Sequence, residues 1–350
     1  MAYVAARGGE RAIAQAERLF RARLGTIDAA RVAQIRDTLP HLVDRVMGEA
    51  SLADADIAAL ALAQTGGDLP EAVLLLRAWR TTQPRLGVAE PVAPEAIRTH
   101  RRISAAFKDV PGGQTLGPTL DYAHRVLATE ALTGGAFAPD PVEPAAGPSD
   151  PHPPTVSSWQ AENGLIPDPA SDELDGEAIP DVTREPVLFP ADRAHMLQSL
   201  ARADTGGVLA LGYAAMRGYG QAHPTVNELR LGEAELVVRH PRGTAFSAGR
   251  VPVSYAEVVT QTGEGLRRGF AATMGWNEVK VIAAATLDLN MPGAAKGSAT
   301  DEEFVLYHTE GVEAAGFCAH FKLPHYVTFQ SSIDAMRGAA AKRAHKEAAE

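Results

Sequence analysis

The chain has 350 residues, with 43 acidic against 33 basic side chains and a formal charge of −10 at pH 7. That length leads us to expect two domains and a sizeable core, and the acidic balance argues against a general nucleic-acid or membrane binder. The lone Cys318 excludes an intrachain disulfide framework, an iron–sulfur cluster held by this chain alone and a Cys₂-type zinc site. No run of about 18 apolar residues reads as a membrane span. The opening residues lack the apolar segment of a signal peptide, so a cytoplasmic location is expected.

Tyr3–Ala5 reads as a short strand ended by Gly8 and Gly9. Glu10–Leu24 has helical spacing through Ile13, Leu19, Phe20 and Leu24, and Asp28–Met47 continues it, with Pro40 as a break or kink. Ser51 with Asp54 resembles a capping box ahead of Ile57, Leu60 and Leu62, and Gly66-Gly67 closes that helix. Asp68, Pro70 and Glu71 open another. Its interior, AVLLLRAW, is expected to be buried on most sides.

From Arg77 to Asp109 the charge changes sign locally, with seven Lys/Arg against three acids. A solvated helix face or an acidic neighbour is the bland explanation; an anion site is the functional one. The stretch from Lys108 through Pro111-Gly112-Gly113-Gln114 to Arg125 reads as a Gly/Pro turn leading into a helix. Paired glycines let backbone approach a ligand, and a helix N-terminus offers N–H groups to an anion. This is neither a Walker A loop nor a dinucleotide fingerprint. With Arg101, Arg102, Lys108 and Arg125 close in sequence, phosphate is the ligand it would suit.

Residues 138–154 hold seven prolines in seventeen, which reads as an exposed linker or insertion reaching about Asp181. Met196–Leu200 and Val208–Met216 look helical. The second ends in RGYGQAHP, where Arg217 and His223 flank a Gly-rich turn that either faces a ligand or simply ends the helix. Glu235–Arg239 and Arg250–Ser254 read as strands, with Ala245–Ser247 as a candidate pairing partner; Tyr255–Thr260 and Arg267–Met274 follow as strand or helix segments, and Glu278–Leu289 as a helix capped by Asn277. Strands and helices mix without regular βαβ alternation. The expected class is therefore α+β and helix-rich. A helical N-terminal domain would cover 1–136, a Pro-rich linker 137–181, a mixed C-terminal domain 182–334 and a charged, at best frayed-helical tail 335–350.

Three of the eleven histidines fall in Asp301–Gln330, and His320 and His325 stand five apart in HFKLPHY. That spacing does not share one helix face, and Pro324 breaks a helix through the pair. A helix over Gly311–Ala319 and a break at Lys322–Pro324 would let the two imidazoles meet across a turn. They would then form half of a Zn²⁺ or Fe²⁺ site; alternatively, one caps a helix end and the other packs.

The runs YVAARGGERAI, LLLRAWRTT, RRISAAFKDVPGGQTLGPTLDYAHR, RGYGQAHP and DEEFVLYH…VEAAGF…HFKLPHYV follow in order from Tyr3 to Phe329. Together they resemble the PhnI family, nucleosidase-type subunits of the bacterial carbon–phosphorus lyase core complex. The resemblance implies action on ATP or GTP at the N-glycosidic bond. Alone, such a subunit releases the base; with partner subunits, a phosphonate takes its place and gives ribose 1-methylphosphonate 5-triphosphate. It also implies a homodimer within the complex, a separate radical-SAM iron–sulfur subunit that breaks the C–P bond, and a zinc ion held by His320 and His325 at the interface with that subunit. Cys318 beside the motif is not part of the family pattern.

Glycosyl transfer passes through an oxocarbenium-like state, which calls for protonation of the leaving base and a nearby carboxylate. The substrate-binding candidates are Arg101, Arg102, Lys108, Gly112, Gly113, Gln114 and Arg217. For acid–base work they are Asp121, His124 and His223, with the Asp301–Glu303 run as a further carboxylate source. A non-catalytic central scaffold that contributes the zinc site is the competing reading. A standalone zinc hydrolase is disfavoured because no HExxH or comparable motif exists.

Overall fold

The computed structural model describes residues 9–138, 140–141, 150–166, 179–240, 242–263, 265–323 and 326–349, except for the side chains of Tyr326 and Val327. The expected strand at Tyr3–Ala5 and the residue His325 lie outside these. Contacts divide the chain into two compact units, Ala29–Gly311 and Met1–Asp28 with Val312–Glu350. The helices after residue 28 and the later strands thus share one unit.

In the larger unit, α2 (Ala29–Thr38) and α3 (Pro40–Ala50) are separated at Pro40, the first residue of α3. Ser51 does not open the next helix; it closes α3 in the left-handed region at φ 55°. Asp54 alone caps α4 (Ala55–Thr65), accepting from the Ile57 N–H at 2.9 Å. Asp68 caps α5 (Leu69–Thr81) through the Glu71 N–H. Contrary to expectation, α5 buries one face only, Ala72, Val73 and Leu76, while Leu74, Leu75 and Trp79 stay partly exposed. The helix packs against α3 and α4.

Four antiparallel strands form one sheet in the order β1 (Arg98–Ile103), β2 (Thr225–Arg239), β3 (Ala245–Thr262), β4 (Gly265–Met274). Ala245–Ser247 does pair with the end of β2. One face carries Leu229, Ala256, Val258 and Ala271, which pack on α9 (Glu278–Asn290), α7 (Arg193–Arg202) and α8 (Thr205–Ala214). Asn277 caps α9 through the Lys280 N–H. Gly269 permits the close approach of α9, because a Cβ there would stand 2.1 Å from the Ala285 carbonyl oxygen. The opposite face is polar. It lies under α6 (Val156–Glu162) and the Pro153-Pro154 carbonyls. Residues 150–166 are therefore not the exposed linker expected there: Val156, Ser157 and Gln160 are buried.

No helix follows the glycine pair. Gly112 and Gly113 take φ 77° and 72°, and Thr115 bridges Arg102 through reciprocal backbone hydrogen bonds. Gly117, at φ 61° against the His100 carbonyl, and the following Pro118 block a helix. Short α10 (Glu302–His308) completes the unit.

The other unit holds α1 (Gly9–Leu24), α11 from Gly311 to His320, and α12 (Tyr326–Glu347). α11 ends at His320 as the spacing predicts, followed by turns at Phe321–Leu323. The tail expected to be frayed is helical to Glu347, as its alanine-rich composition favours. Among the described residues, no helix is long and apolar enough to cross a membrane.

Candidate functional site

Strand β1 presents its adjacent arginines to different surroundings. Arg102 is 1% exposed and enters the polar face, where its Nε donates to Glu228 at 2.7 Å. Its terminal nitrogens donate to the carbonyls of Pro111 (2.6 Å), Gly113 (2.7 Å) and Pro154 (2.8 Å). Four of its five N–H groups are thus taken inside the protein. Glu228 also accepts from Arg230 and from the Val156 N–H at 2.8 Å, and both Glu228 and Arg230 are fully buried. Beside them, Glu257 accepts from Ser157, Asn227 and Arg268. Burial, Glu257 and Glu228 push the neighbouring Tyr255 hydroxyl well above its ordinary range.

Arg101, 3% exposed, donates to Glu278 at the start of α9, to the Leu116 carbonyl at 2.5 Å and to Asp121. Gln114, itself exposed, ties the loop together: its oxygen accepts from the Ser104 N–H at 3.0 Å, and its amide donates to the Phe107 and Lys108 carbonyls. Lys108, Gly112, Gly113 and His124 are exposed on the outer rim of this loop region. Arg101 and Arg102 therefore fasten the loop from the interior and Gln114 from its surface, and the exposed rim is what a ligand would meet.

The second Gly-rich turn lies elsewhere. After α8 the chain makes a wide turn over Ala215–Tyr219 with Gly218 at φ 108°. Arg217 is exposed and stands 5.8 Å from the Tyr213 ring centre; His223 is exposed ahead of β2. Asn290 holds this turn through both polar groups of Ala222. Glu278, which binds Arg101, and Asn290 mark opposite ends of α9, about 18 Å apart along the helix. The structure gathers Arg101 with Asp121, and Arg102 with the glycine loop, but keeps Arg217 and His223 at the far end.

The acidic run is also engaged. Asp301 accepts from the Gly297 N–H, Glu302 from the Ala191 N–H, and Glu303 pairs with Lys296, around a cavity of about 470 Å³ lined by Phe189, Pro190 and Met291. Among the described residues no three His, Cys, Asp or Glu side chains cluster as metal ligands. His320, at the C-terminus of α11, is the one described member of its pair.

Sequence reasoning missed β1, Glu228, Arg230, Glu257 and Glu278. The detectable signal was Glu228-Leu229-Arg230, an alternation of charge and apolar side chain that places both charges on one face of a strand.

Fold and site together define a mixed α+β protein that fastens a glycine-rich, basic-rimmed loop to the edge of its sheet with buried arginines. The family model described as "Bacterial phosphonate metabolism protein (PhnI)" matches residues 2–343. The chain is 42% identical to "Alpha-D-ribose 1-methylphosphonate 5-triphosphate synthase subunit PhnI" of Escherichia coli (strain K12), over 96% of this chain and 97% of that protein. It is 41% identical to the protein of the same name from Rhizobium meliloti (strain 1021), over 96% and 94%. A third relative, "Putative C-P lyase subunit protein HtxH" of Stutzerimonas stutzeri, is 39% identical over 96% and 95%. The chain belongs to the PhnI family.

Proposed function

We propose that this chain is a carbon–phosphorus lyase subunit in phosphonate catabolism that transfers ribose 5-triphosphate from the base of ATP or GTP to a phosphonate. The observation that carries this reading is the end-to-end similarity to two relatives named as subunits of ribose 1-methylphosphonate 5-triphosphate synthase. In this reading the protein works in the cytoplasm, as a homodimer within a complex that includes a radical-SAM iron–sulfur subunit.

Lys108 and the Gly112-Gly113 backbone on the loop rim would meet substrate phosphates, with Arg101, Arg102 and Gln114 as positioning residues. Asp121, tied to the buried Arg101 guanidinium, would face the positive charge that develops on the ribose. His124, three residues on and exposed, would protonate the departing base. Arg217 and His223 would serve a separate part of the substrate or a partner.

The described donor set supplies one imidazole, so zinc fits here only if His325 and groups from a neighbouring subunit complete it. Bound there, zinc would act as a Lewis acid toward a phosphoryl oxygen. The scaffold reading draws on one observation: Arg102 spends four N–H groups on its own protein.

The test is base release from ATP and GTP by the purified protein, alone and with partner subunits. The proposal expects release by the wild type, its loss in Lys108→Ala/His124→Ala, and its retention in His320→Ala/His325→Ala. The histidine pair should instead lower the zinc content of the complex. Absence of release from either preparation would leave the scaffold as the function.

A further inference from the structure

The two arginines that sequence spacing offers for phosphate are internally engaged, whereas a different group of arginines contains members with free donors among the described residues. The C-terminal end of α5, the segment after it and the turn at 180–184 converge with the end of α7. Gln198 donates to the Pro180 carbonyl at 2.6 Å and accepts from the Val182 N–H, and Arg202 Nη1 donates to the Val182 carbonyl at 3.0 Å. Arg85 reaches Asp181 at 2.8 Å. Asp181 in turn fixes Arg184, whose N–H donates to its carbonyl.

This arrangement gathers five guanidinium groups, Arg77, Arg80, Arg85, Arg184 and Arg202. Two of them have carboxylate partners: Arg77 pairs with Glu310 and Arg85 with Asp181. Arg80 and Arg184 make no side-chain hydrogen bond among the described residues, and the Nε of Arg202 is buried without a partner. Glu185, beside Arg184, is exposed. Burial first, then the charges of Arg77 and Arg80, push the Arg202 pKa down to about 10, against the opposing charges of Glu310 and Asp181. Arg80 is lowered as well, first by burial. Arg80 and Arg202 are half-buried and Arg184 is exposed at the edge of the group. Among the described residues five guanidinium groups here face the carboxylates of Glu310, Asp181 and Glu185, and such an excess of positive charge offers a place for an anion.

We infer that Arg80, Arg184 and Arg202 form an anion site for a phosphoryl or phosphonyl group, separate from the glycine loop. Guanidinium groups suit such tetrahedral oxyanions through forked N–H pairs, and three of them match more than one negative charge. The shared chemistry is the phosphorus oxyanion, whether it belongs to a triphosphate tail or to a single tetrahedral dianion.

The experiment is calorimetric titration of the full-length protein, in the assembly in which it purifies, with four probes: tripolyphosphate, ATP, inorganic phosphate and methylphosphonate. Arg80→Gln/Arg184→Gln is compared with wild type and with Arg242→Gln, an exposed arginine outside the cluster. The double variant should unfold no earlier than wild type, because it removes charges that lack hydrogen bonds. Its affinity should fall about tenfold or more, as the loss of charge-assisted contacts requires. A fall for tripolyphosphate and ATP alike identifies a triphosphate tail; a fall for inorganic phosphate and methylphosphonate identifies a single dianion. Either supports the site. It is overturned if wild type binds none of the probes, if binding is confined to ATP and persists in the double variant, or if Arg242→Gln weakens binding equally. Base release does not enter the readout, so failure of the ribosyl-transfer proposal would leave this result standing.

Discussion

Arg102 and Arg230 stand opposite each other in the β1–β2 register and share one fully buried carboxylate, Glu228. Two cations side by side in a sheet would repel; the carboxylate and the surrounding carbonyls make the pairing stable. Glu228→Gln keeps the shape but leaves both arginines without their counter-ion. Removing one partner from a buried charge network costs about 3–5 kcal/mol. Urea unfolding should register a loss of that order. A loss below about 1 kcal/mol, the range of exposed pairs, would show that the carbonyls suffice.

Arg101 fastens the chain from Leu116 to Asp121 against α9. Arg101→Ala should release that segment while the sheet core stays intact. Hydrogen exchange is the measurement: faster exchange confined to residues 114–125, with β2 and β3 amides unchanged. Arg101→Lys should restore little, since one ammonium cannot reach Glu278, Asp121 and the Leu116 carbonyl in the same planar geometry.

Lys280 is buried at the first turn of α9, with its amine on the Ala201 carbonyl. Burial lowers its pKa from 10.5 to about 8; Glu49 and Asp204 oppose the shift, and Arg45 and Arg77 add to it. Between those two values the unfolded chain binds the proton and the folded chain has lost it. Stability should therefore rise with pH across that window, at about 1.4 kcal/mol per pH unit for a single proton. Below pH 8 the cost of the buried charge is present in full. Lys280→Met should remove this rise, which parallel denaturation of the two proteins from pH 7 to 10 would show; identical slopes would refute it.

Two glycines should respond oppositely to alanine. At Gly269 the new methyl meets the Ala285 carbonyl, so Gly269→Ala forces α9 away from the sheet at a cost of about 1–3 kcal/mol or more. At Gly316, within α11, nothing lies within 4 Å of the added carbon. There the substitution should leave stability unchanged or raise it by up to about 1 kcal/mol. Thermal melts of both variants decide the matter.

The features that sequence conveyed are those governed by neighbours a few residues away. Asp68, Asn277 and Pro40 mark helix starts because capping and proline geometry are local. β1 was hidden because Arg98–Ile103 has no apolar alternation: the partners that bury its arginines come from distant residues, and a buried charge looks like an exposed one in a sequence. α6 was hidden for the opposite reason, since the prolines before it resemble a linker, yet two of their carbonyls are acceptors for Arg102 and Arg230. The turn at Gly112-Gly113 was legible from its glycines, but the burial of Arg101 and Arg102 was not, because exposure is settled only by packing. The arginines at 80, 184 and 202 could not be grouped from spacing at all.

The carboxylate of Glu228 also sets an order of assembly. It receives Arg102 from 126 residues earlier in the chain and the Val156 N–H from 72 residues earlier. Contacts spanning such distances form late and slow a folding reaction, because long loops must close before any energy is gained. During synthesis from the N-terminus, Arg98–Ile103 leaves the ribosome well before the strand that pairs with it. Until β2 emerges, the nascent protein carries an unpaired basic edge, so its helices from α2 to α5 can fold first while the sheet waits for the second half of the chain.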